Sequence, residues 1–206
     1  MTYELLLWRS DHPVTREEAE AIGESGAEPT PVIGEFVVEL RRLHSDVQVT
    51  ETGVGGRFAR VEMADDRADQ VSTDVYAIAQ GHGLIVWDPV RGLVHNIAPV
   101  GVYQGMQLHT GDGMIVIDPD LGLVRDVLTR LGTGNPFAAL VVFGHHFVQV
   151  SPEDGAYELE YKDGARGELY RARVPELAEV QRAFHEYAND DRGFLDSHTW
   201  ANVTTG

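Results

Sequence analysis

GHGLIVWDPVRGLVHNI, residues 81–97, is the segment around which the predicted fold is built. A related segment, GDGMIVIDPDLGLVRDV, follows at residues 111–127, and nine of the seventeen aligned positions are identical. In both, an apolar run of strand-forming residues leads into Asp-Pro, which favours a strand followed by a turn. Three interpretations stay open: two convergent strand-to-turn segments, an old duplication, or a shared ligand-binding loop.

The two segments continue differently, which favours convergence. In the first, Asp88 can cap a turn, Gly92 can adopt a positive φ, and residues 93–95 return as a strand, so we predict a hairpin. In the second, Asp118 is the expected helix N-cap and Pro119 the first helical residue. Five apolar residues then recur at helical spacing: Leu121, Val124, Val127, Leu128 and Leu131.

The first hundred residues predict strands and helices in mixed order. Residues 3–9 read as a buried strand, and Thr15 with Glu18 forms a capping box that opens a short helix to about Gly23. A helix over 32–44, a strand over 58–63 and a helix over 68–80 follow. The helix over 32–44 is expected to bury one apolar face, made of Val32, Phe36, Val37, Leu40 and Leu43.

The last third predicts an antiparallel sheet and one helix. Strands are expected at 139–143, 146–150, 156–162 and 168–173, followed by a helix over 175–188 and a closing strand within 199–203. In the strand AYELEYK the alternation places Tyr157, Leu159 and Tyr161 on one face and Glu158 and Glu160 on the other.

This order of elements is typical of an α+β fold. We predict two small sheet-plus-helix domains with largely antiparallel sheets: a βααβαββ domain over residues 1–100 and an α+β domain over residues 104–206. They would meet near residues 98–106, and a single fused α+β domain is the alternative.

The composition excludes several classes of function but does not identify one. The 206 residues carry 16 basic and 33 acidic side chains, a net charge of −17, which repels nucleic acid and anionic membranes. Two explanations of this charge stay open, namely solubility and faster association with a basic protein partner. No cysteine is present, so thiol catalysis, disulfides and thiolate metal sites are excluded. Neither a signal peptide nor an apolar run of membrane-spanning length is readable, and we expect a cytoplasmic protein.

No motif with a specific chemical meaning stands out. His145 and His146 are adjacent; if they lie on a strand, their side chains point to opposite faces and cannot share one metal ion. The glycine-rich residues 53–57 lack the G-K-[ST] ending of a phosphate-binding loop. We therefore predict no catalytic residue, no metal site and no cofactor.

Acidic clusters are the better candidates for binding a basic partner. Such a surface would speed association, while apolar anchors would supply much of the affinity. Taken singly, each cluster is also explained as a solvated face or a helix-dipole partner. The candidate partner-binding residues are Asp65, Asp66, Asp69, Asp74, Glu153, Asp154, Glu158, Glu160, Asp190 and Asp191.

A second hypothesis is a small-molecule-binding protein or enzyme with its site at the domain junction, where pockets often form. Candidate lining residues, selected for polarity and position in the chain, are Trp87, His95, His109 and His146.

A family resemblance favours the first hypothesis. PFAALVVFGHHFVQV (136–150), AYELEYKDG (156–164) and PELAEVQRAFHEYANDDRGF (175–194), with Trp200 closing, resemble small immunity-protein domains of actinobacterial polymorphic-toxin systems over residues 104–204. The N-terminal YELLLWRS and TREEAEAI resemble another, uncharacterised actinobacterial domain. The first resemblance implies a non-enzymatic antitoxin that binds and blocks a toxin. It transfers no binding residue, because the matching positions are scaffold.

Overall fold

The fold is α+β, as predicted, with two largely antiparallel sheets. The structure, a computed structural model, describes residues 2–22, 29–52 and 57–204. The chain forms two compact units, unit 1 (Met1–Pro99) and unit 2 (Val100–Gly206). The predicted glycine-rich loop at 53–56 lies outside the described residues. No helix in the described ranges has the length and apolar character needed to cross a membrane.

The described part of unit 1 forms a five-stranded antiparallel sheet with three α-helices and a short 3-10 helix (Asp65–Arg67). Its strands are β1 (Thr2–Trp8), β2 (Gln48–Thr52), β3 (Phe58–Ala64), β4 (Ile85–Asp88) and β5 (Leu93–His95), in the spatial order β2-β3-β1-β4-β5. Its helices are α1 (Arg16–Ala21), α2 (Val32–Leu43) and α3 (Ala68–Gly81). The predicted order βααβαββ was wrong in omitting β2. That edge strand, QVTET, carries only one apolar residue, Val49, so its sequence gave no strong strand signal.

The helix boundaries of unit 1 follow local signals. The Thr15–Glu18 capping box is present, with the Glu18 amide donating to Thr15 Oγ1 at 3.2 Å and the Thr15 amide donating to Glu18 Oε2 at 2.8 Å. Helix α2 buries Ile33, Phe36, Val37 and Leu40. The prediction that Leu43 belongs to this face was wrong, because Leu43 is the last helical residue and is 55 % exposed.

A buried carboxylate ties β1, β4 and α3 together. The Asp88 side chain is inaccessible to solvent, and its Oδ2 accepts hydrogen bonds from the Tyr3 hydroxyl and, at 2.9 Å, from the Tyr76 hydroxyl. The Arg91 guanidinium lies 3.4 Å from the same oxygen and reaches Asp69 Oδ1 at 3.0 Å. Burial raises the pKa of Tyr3 and of Tyr76, so both hydroxyls stay protonated and donate. These donors offset the desolvation of the carboxylate.

His95 lies beside this network without joining it. Its ring stacks on Tyr76 with centroids 3.8 Å apart, and neither ring nitrogen has a hydrogen-bond partner among the described residues. Burial lowers the pKa of His95 from 6.5 to about 4. The imidazole is therefore neutral at physiological pH and serves as a packing group.

The described part of unit 2, residues 100–204, forms a seven-stranded antiparallel sheet with three α-helices. Its strands are β6 (Gln107–Thr110), β7 (Ile115–Ile117), β8 (Ala138–Val142), β9 (His146–Glu153), β10 (Ala156–Asp163), β11 (Glu168–Val174) and β12 (Ala201–Asn202), in the order β12-β11-β10-β9-β8-β6-β7. The helices are α4 (Leu121–Leu128), α5 (Leu177–Ala188) and the unpredicted α6 (Gly193–Ser197). The predicted closing strand is confirmed, since β12 pairs with β11.

The two related segments adopt different structures after a common start. The first is the predicted hairpin, in which Asp88 Oδ1 accepts the Arg91 amide at 2.9 Å and Gly92 has φ +60°. The second passes from β7 into α4, but the predicted N-cap was wrong: Asp118 has φ +47°, and the cap is Asp120, whose Oδ1 accepts the Leu123 amide at 2.9 Å. The first segment has an apolar valine in place of Asp120 and cannot cap a helix there.

Helices α5 and α6 of unit 2 lie against one face of its sheet. Tyr161 projects toward α5 and α6, since its ring centroid lies 6.4 Å from that of Tyr187 and 5.7 Å from that of Phe194. Helix α4 packs against α5 as well. The predicted alternation is confirmed, because Glu158 and Glu160 point to the other face and contact Arg171 there.

His95 predicts a specific dependence of stability on pH. The unfolded chain binds a proton on His95 near pH 6.5, whereas the folded protein does so only near pH 4, so this residue's contribution is complete above pH 6.5 and is lost as the pH falls. Between pH 7.5 and pH 5 we expect a loss of about 2 kcal/mol in the free energy of unfolding. His95→Phe keeps the stacking on Tyr76 and should lack this loss. Urea titrations of both proteins at the two pH values measure it, and equal pH dependence would contradict the assignment.

Candidate partner-binding surface

The ten acidic residues predicted to bind a partner are divided between the two units. Asp65, Asp66, Asp69 and Asp74 lie in unit 1, at or near the start of α3; the remaining six lie in unit 2. Within unit 2, Glu153 and Asp154 lie at one end of the eight-residue strand β9, roughly 25 Å from its other end. Asp190 and Asp191 follow α5. Asp190 contacts Tyr103, whose ring lies next to Phe143 in the turn before β9.

Most of these carboxylates already contact a cationic or histidine side chain. Asp69 pairs with Arg91 at 3.0 Å, Asp74 with His44 at 2.7 Å, and Glu153 with Arg173 at 3.8 Å. Glu158 and Glu160 share Arg171, at 3.2 and 2.8 Å. Burial raises the pKa of Glu158, which Arg171 partly opposes. With Asp190, which lies 3.2 Å from Arg192, half of the ten predicted carboxylates therefore lie within ion-pair distance of an arginine.

The residues of the second hypothesis are also divided between the two units. Trp87 and His95 belong to unit 1, where strand alternation places them on opposite faces of the β4–β5 hairpin: Trp87 packs in the cluster around Trp8, and His95 packs under α3. His109 lies on β6 of unit 2, and its Nε2 lies 2.8 Å from Gln107 Oε1. His146 begins β9, at the site described next.

The β8–β9 hairpin ends in an exposed phenylalanine with an unfavourable backbone conformation. Phe143 has φ +54° and Gly144 φ +74°, and the His145 amide donates to Val142 O at 3.4 Å, as in a tight turn with two successive left-handed residues. Such turns favour Asn, Asp or Gly at both positions, and a bulky residue there is a steric outlier. The Phe143 side chain is nevertheless 68 % exposed.

Two aromatic rings, those of Tyr103 and His146, lie next to the Phe143 ring. The Tyr103 ring meets it edge-on with centroids 5.8 Å apart, and the His146 ring does so at 6.4 Å. His145 lies in the turn and only His146 lies on the strand, so the condition for opposite orientations is not met, and the two rings lie 4.4 Å apart. No group of three potential metal ligands occurs in the described ranges.

A charged pair continues this surface. The Tyr103 hydroxyl accepts from Arg192 Nη2 at 2.7 Å and donates to Asp190 Oδ1, which itself lies 3.2 Å from Arg192 Nη2. The Arg192 guanidinium also lies over the Tyr187 ring, 4.8 Å from its centroid. Burial and the hydrogen bond to Asp190 raise the pKa of Tyr103, so the hydroxyl remains a donor. We call Tyr103, Phe143, His146, Asp190 and Arg192 the hairpin-tip cluster.

The turn between β10 and β11 contacts the cluster through Gly164. The Gly164 amide donates to His146 Nδ1 at 3.2 Å. A Cβ atom at Gly164 would lie 2.5 Å from the His145 carbonyl oxygen, so only glycine allows this approach of the two turns. The His145 ring Nδ1–H donates to Phe143 O at 2.6 Å, which holds the turn. The tip is thus a pre-formed structure.

In comparisons with known proteins, no family model, no curated protein and no solved structure matches this chain.

Only parts of the cluster were predicted from the sequence. Asp190 and His146 were candidates, each for a different hypothesis, whereas Tyr103, Phe143 and Arg192 were not. Gly-His-His after an apolar strand gave a usable signal of a hairpin turn, but the turn conformation and the contact with Tyr103 depend on residues about 40 positions apart in sequence.

The strain at Phe143 predicts an unusual ranking of variants. Phe143→Asn and Phe143→Leu both remove the ring, but only asparagine readily adopts a positive φ. Phe143→Asn should therefore be more stable than Phe143→Leu by about 1 kcal/mol. Urea unfolding monitored by circular dichroism measures the difference. Equal stabilities would show that the turn relaxes without strain.

Proposed function

We propose that the protein is a non-enzymatic binding protein of the cytosol, of the antitoxin or immunity type, and that it blocks a basic protein partner through the hairpin-tip cluster. The observation that carries the proposal is the exposed Phe143 in a strained turn. Backbone strain concentrates at functional positions, and an apolar ring exposed to water gains free energy when a partner buries it.

The composition of the cluster supports a protein partner. Aromatic residues and arginine are the types most enriched among residues that dominate binding free energies, and Tyr103, Phe143 and Arg192 are of these types. Tyr103 and Arg192 are held by mutual hydrogen bonding, so they would lose little conformational entropy on binding.

Charge supports a basic partner. The chain carries a net charge of −17, the cluster itself contains the exposed Asp190, and the exposed Asp191 follows it in the chain. Since most of the predicted acidic residues pair internally, charge would act mainly on the rate of association, through the field of the whole molecule. The aromatic anchors would determine how long the complex lasts.

The product of the gene adjacent to this one is the partner to test. We expect it to bind the wild-type protein and to lose its toxicity on co-expression. Phe143→Asn should weaken the complex by at least about 30-fold through faster dissociation, the effect of truncating an aromatic anchor. Raising the salt concentration from 0.05 to 0.5 M should slow association roughly tenfold. Surface plasmon resonance measures both rates.

Two matched variants serve as controls. Val38→Gln removes a 72 % exposed apolar side chain from α2, and Asp65→Asn with Asp66→Asn removes two acidic residues from unit 1. Both should leave dissociation unchanged. The proposal fails if no complex forms at either salt concentration, or if Phe143→Asn binds as tightly as Val38→Gln.

A further inference from the structure

The exposed Phe143 ring is a surface to which a cation can bind. Phe143 is 68 % exposed, so part of its ring face is open to water. The neighbouring rings of Tyr103 and His146 both meet it at 84°, and neither is stacked parallel on it. The face of an aromatic ring carries a negative partial charge, which attracts a cation placed over it. The ring therefore provides an electrostatic attraction in addition to apolar area.

A carboxylate lies close to this ring, because both contact the same tyrosine. Tyr103 packs edge-on against Phe143, and its hydroxyl donates to Asp190 Oδ1. The Asp190 side chain is 64 % exposed. In the part of the chain that the structure describes, its contacts with Tyr103 and Arg192 both use Oδ1. The second oxygen, Oδ2, can therefore accept a hydrogen bond from a partner.

The cluster already binds one guanidinium between a ring and a carboxylate. Arg192 lies over the Tyr187 ring, 4.8 Å from its centroid, while its Nη2 lies 3.2 Å from Asp190 Oδ1. A guanidinium can make both contacts at once because it is planar: its face stacks on a ring and its edge donates hydrogen bonds. Phe143 and Asp190 present the same two kinds of group on the exposed side of the cluster.

The local charge permits a second cation here. Asp190, Asp191 and Arg192 contribute two carboxylates and one guanidinium, a net charge of −1 (−2 + 1). Asp191 is exposed, and its Oδ1 accepts the Gly193 amide at 2.8 Å. The net charge of −17 adds a field that attracts cations from a distance.

An apolar group of the partner would suit this surface less well than an arginine. A partner that buries the Phe143 ring would also displace water from Asp190, and a carboxylate that loses water without gaining a donor is costly. A lysine would supply the charge, but its ammonium has no planar face to stack on the ring. Arginine can cover the ring and supply the donor together.

We infer that the hairpin-tip cluster binds an arginine side chain of its partner, with the guanidinium stacked on the Phe143 ring and donating to Asp190 Oδ2. The inference rests on the proposed function, because it names the group that the partner presents to the same surface. The natural partner is not needed for its test, since a peptide can supply the arginine.

Three short peptides test the inference. In the first, arginine alternates with serine; the second has citrulline, a neutral isostere, in place of each arginine, and the third has lysine. The ¹⁵N-labelled full chain is titrated with each at about 0.15 M salt, and the Gly144 and His145 amide signals report binding at the turn. We expect saturable shifts with the arginine peptide. Binding should be about threefold weaker with lysine and at least about tenfold weaker with citrulline.

Variants locate the contact. Phe143→Leu keeps an apolar side chain but removes the ring, and Asp190→Asn removes the charge; each should weaken binding of the arginine peptide at the turn about fivefold. Phe143→Tyr keeps an aromatic face and should bind as the wild type does. Asp65→Asn with Asp66→Asn, in unit 1, is the matched control for loss of negative charge and should leave the shifts at the turn unchanged. Far-ultraviolet circular dichroism verifies that each variant folds.

The outcomes separate this inference from the proposed function. Unshifted Gly144 and His145 signals, equal binding of the arginine and citrulline peptides, or unchanged binding by folded Phe143→Leu would overturn the inference. None of these results decides whether the product of the adjacent gene binds, which the rate measurements on that complex test by themselves. Failure of that complex, in turn, leaves the peptide result intact.

Discussion

The pleat of the antiparallel strands is the constraint on which both units depend, because it sends successive side chains to opposite faces. Where helices cover one face, that face must be apolar, and any polar group on it must be satisfied. In unit 1 this places Asp88 between the sheet and α3, where tyrosine and arginine donors compensate it. In unit 2 the same alternation directs Tyr161 toward the helices. Glu158 and Glu160 lie on the other face, where both contact Arg171.

Local signals in the sequence were enough to predict most elements and the α+β class. The β4–β5 hairpin and the Thr15 capping box depend on residues within a few positions of each other, and both are confirmed. Errors occurred where the local signal was weak or ambiguous. Strand β2 is mostly polar and is specified by its pairing with β3, and the Asp-Pro-Asp of the second segment offers two possible caps, of which Asp120 is used.

The candidate surface was harder to predict for a physical reason. Tyr103 precedes β6, Phe143 lies in the β8–β9 turn, and Arg192 follows α5. These residues are far apart in sequence, so their proximity is a consequence of tertiary structure. Phe143 was expected to be the last residue of the apolar strand over 139–143. The turn instead exposes it, and a positive φ at phenylalanine is visible only in three dimensions.

Net charge alone is a poor description of how an acidic protein recognises a partner. A carboxylate held at 2.8 Å by Arg171, as Glu160 is, contributes little attraction at short range to a second cation. Yet the net charge of the molecule remains −17. A distant partner experiences this net charge and not the individual ion pairs. Encounter and retention therefore depend on different features: the total charge governs approach, whereas a lasting complex requires surface that gains from desolvation. In the complex that we propose, Phe143, which is 68 % exposed, and Tyr103 beside it would provide such surface.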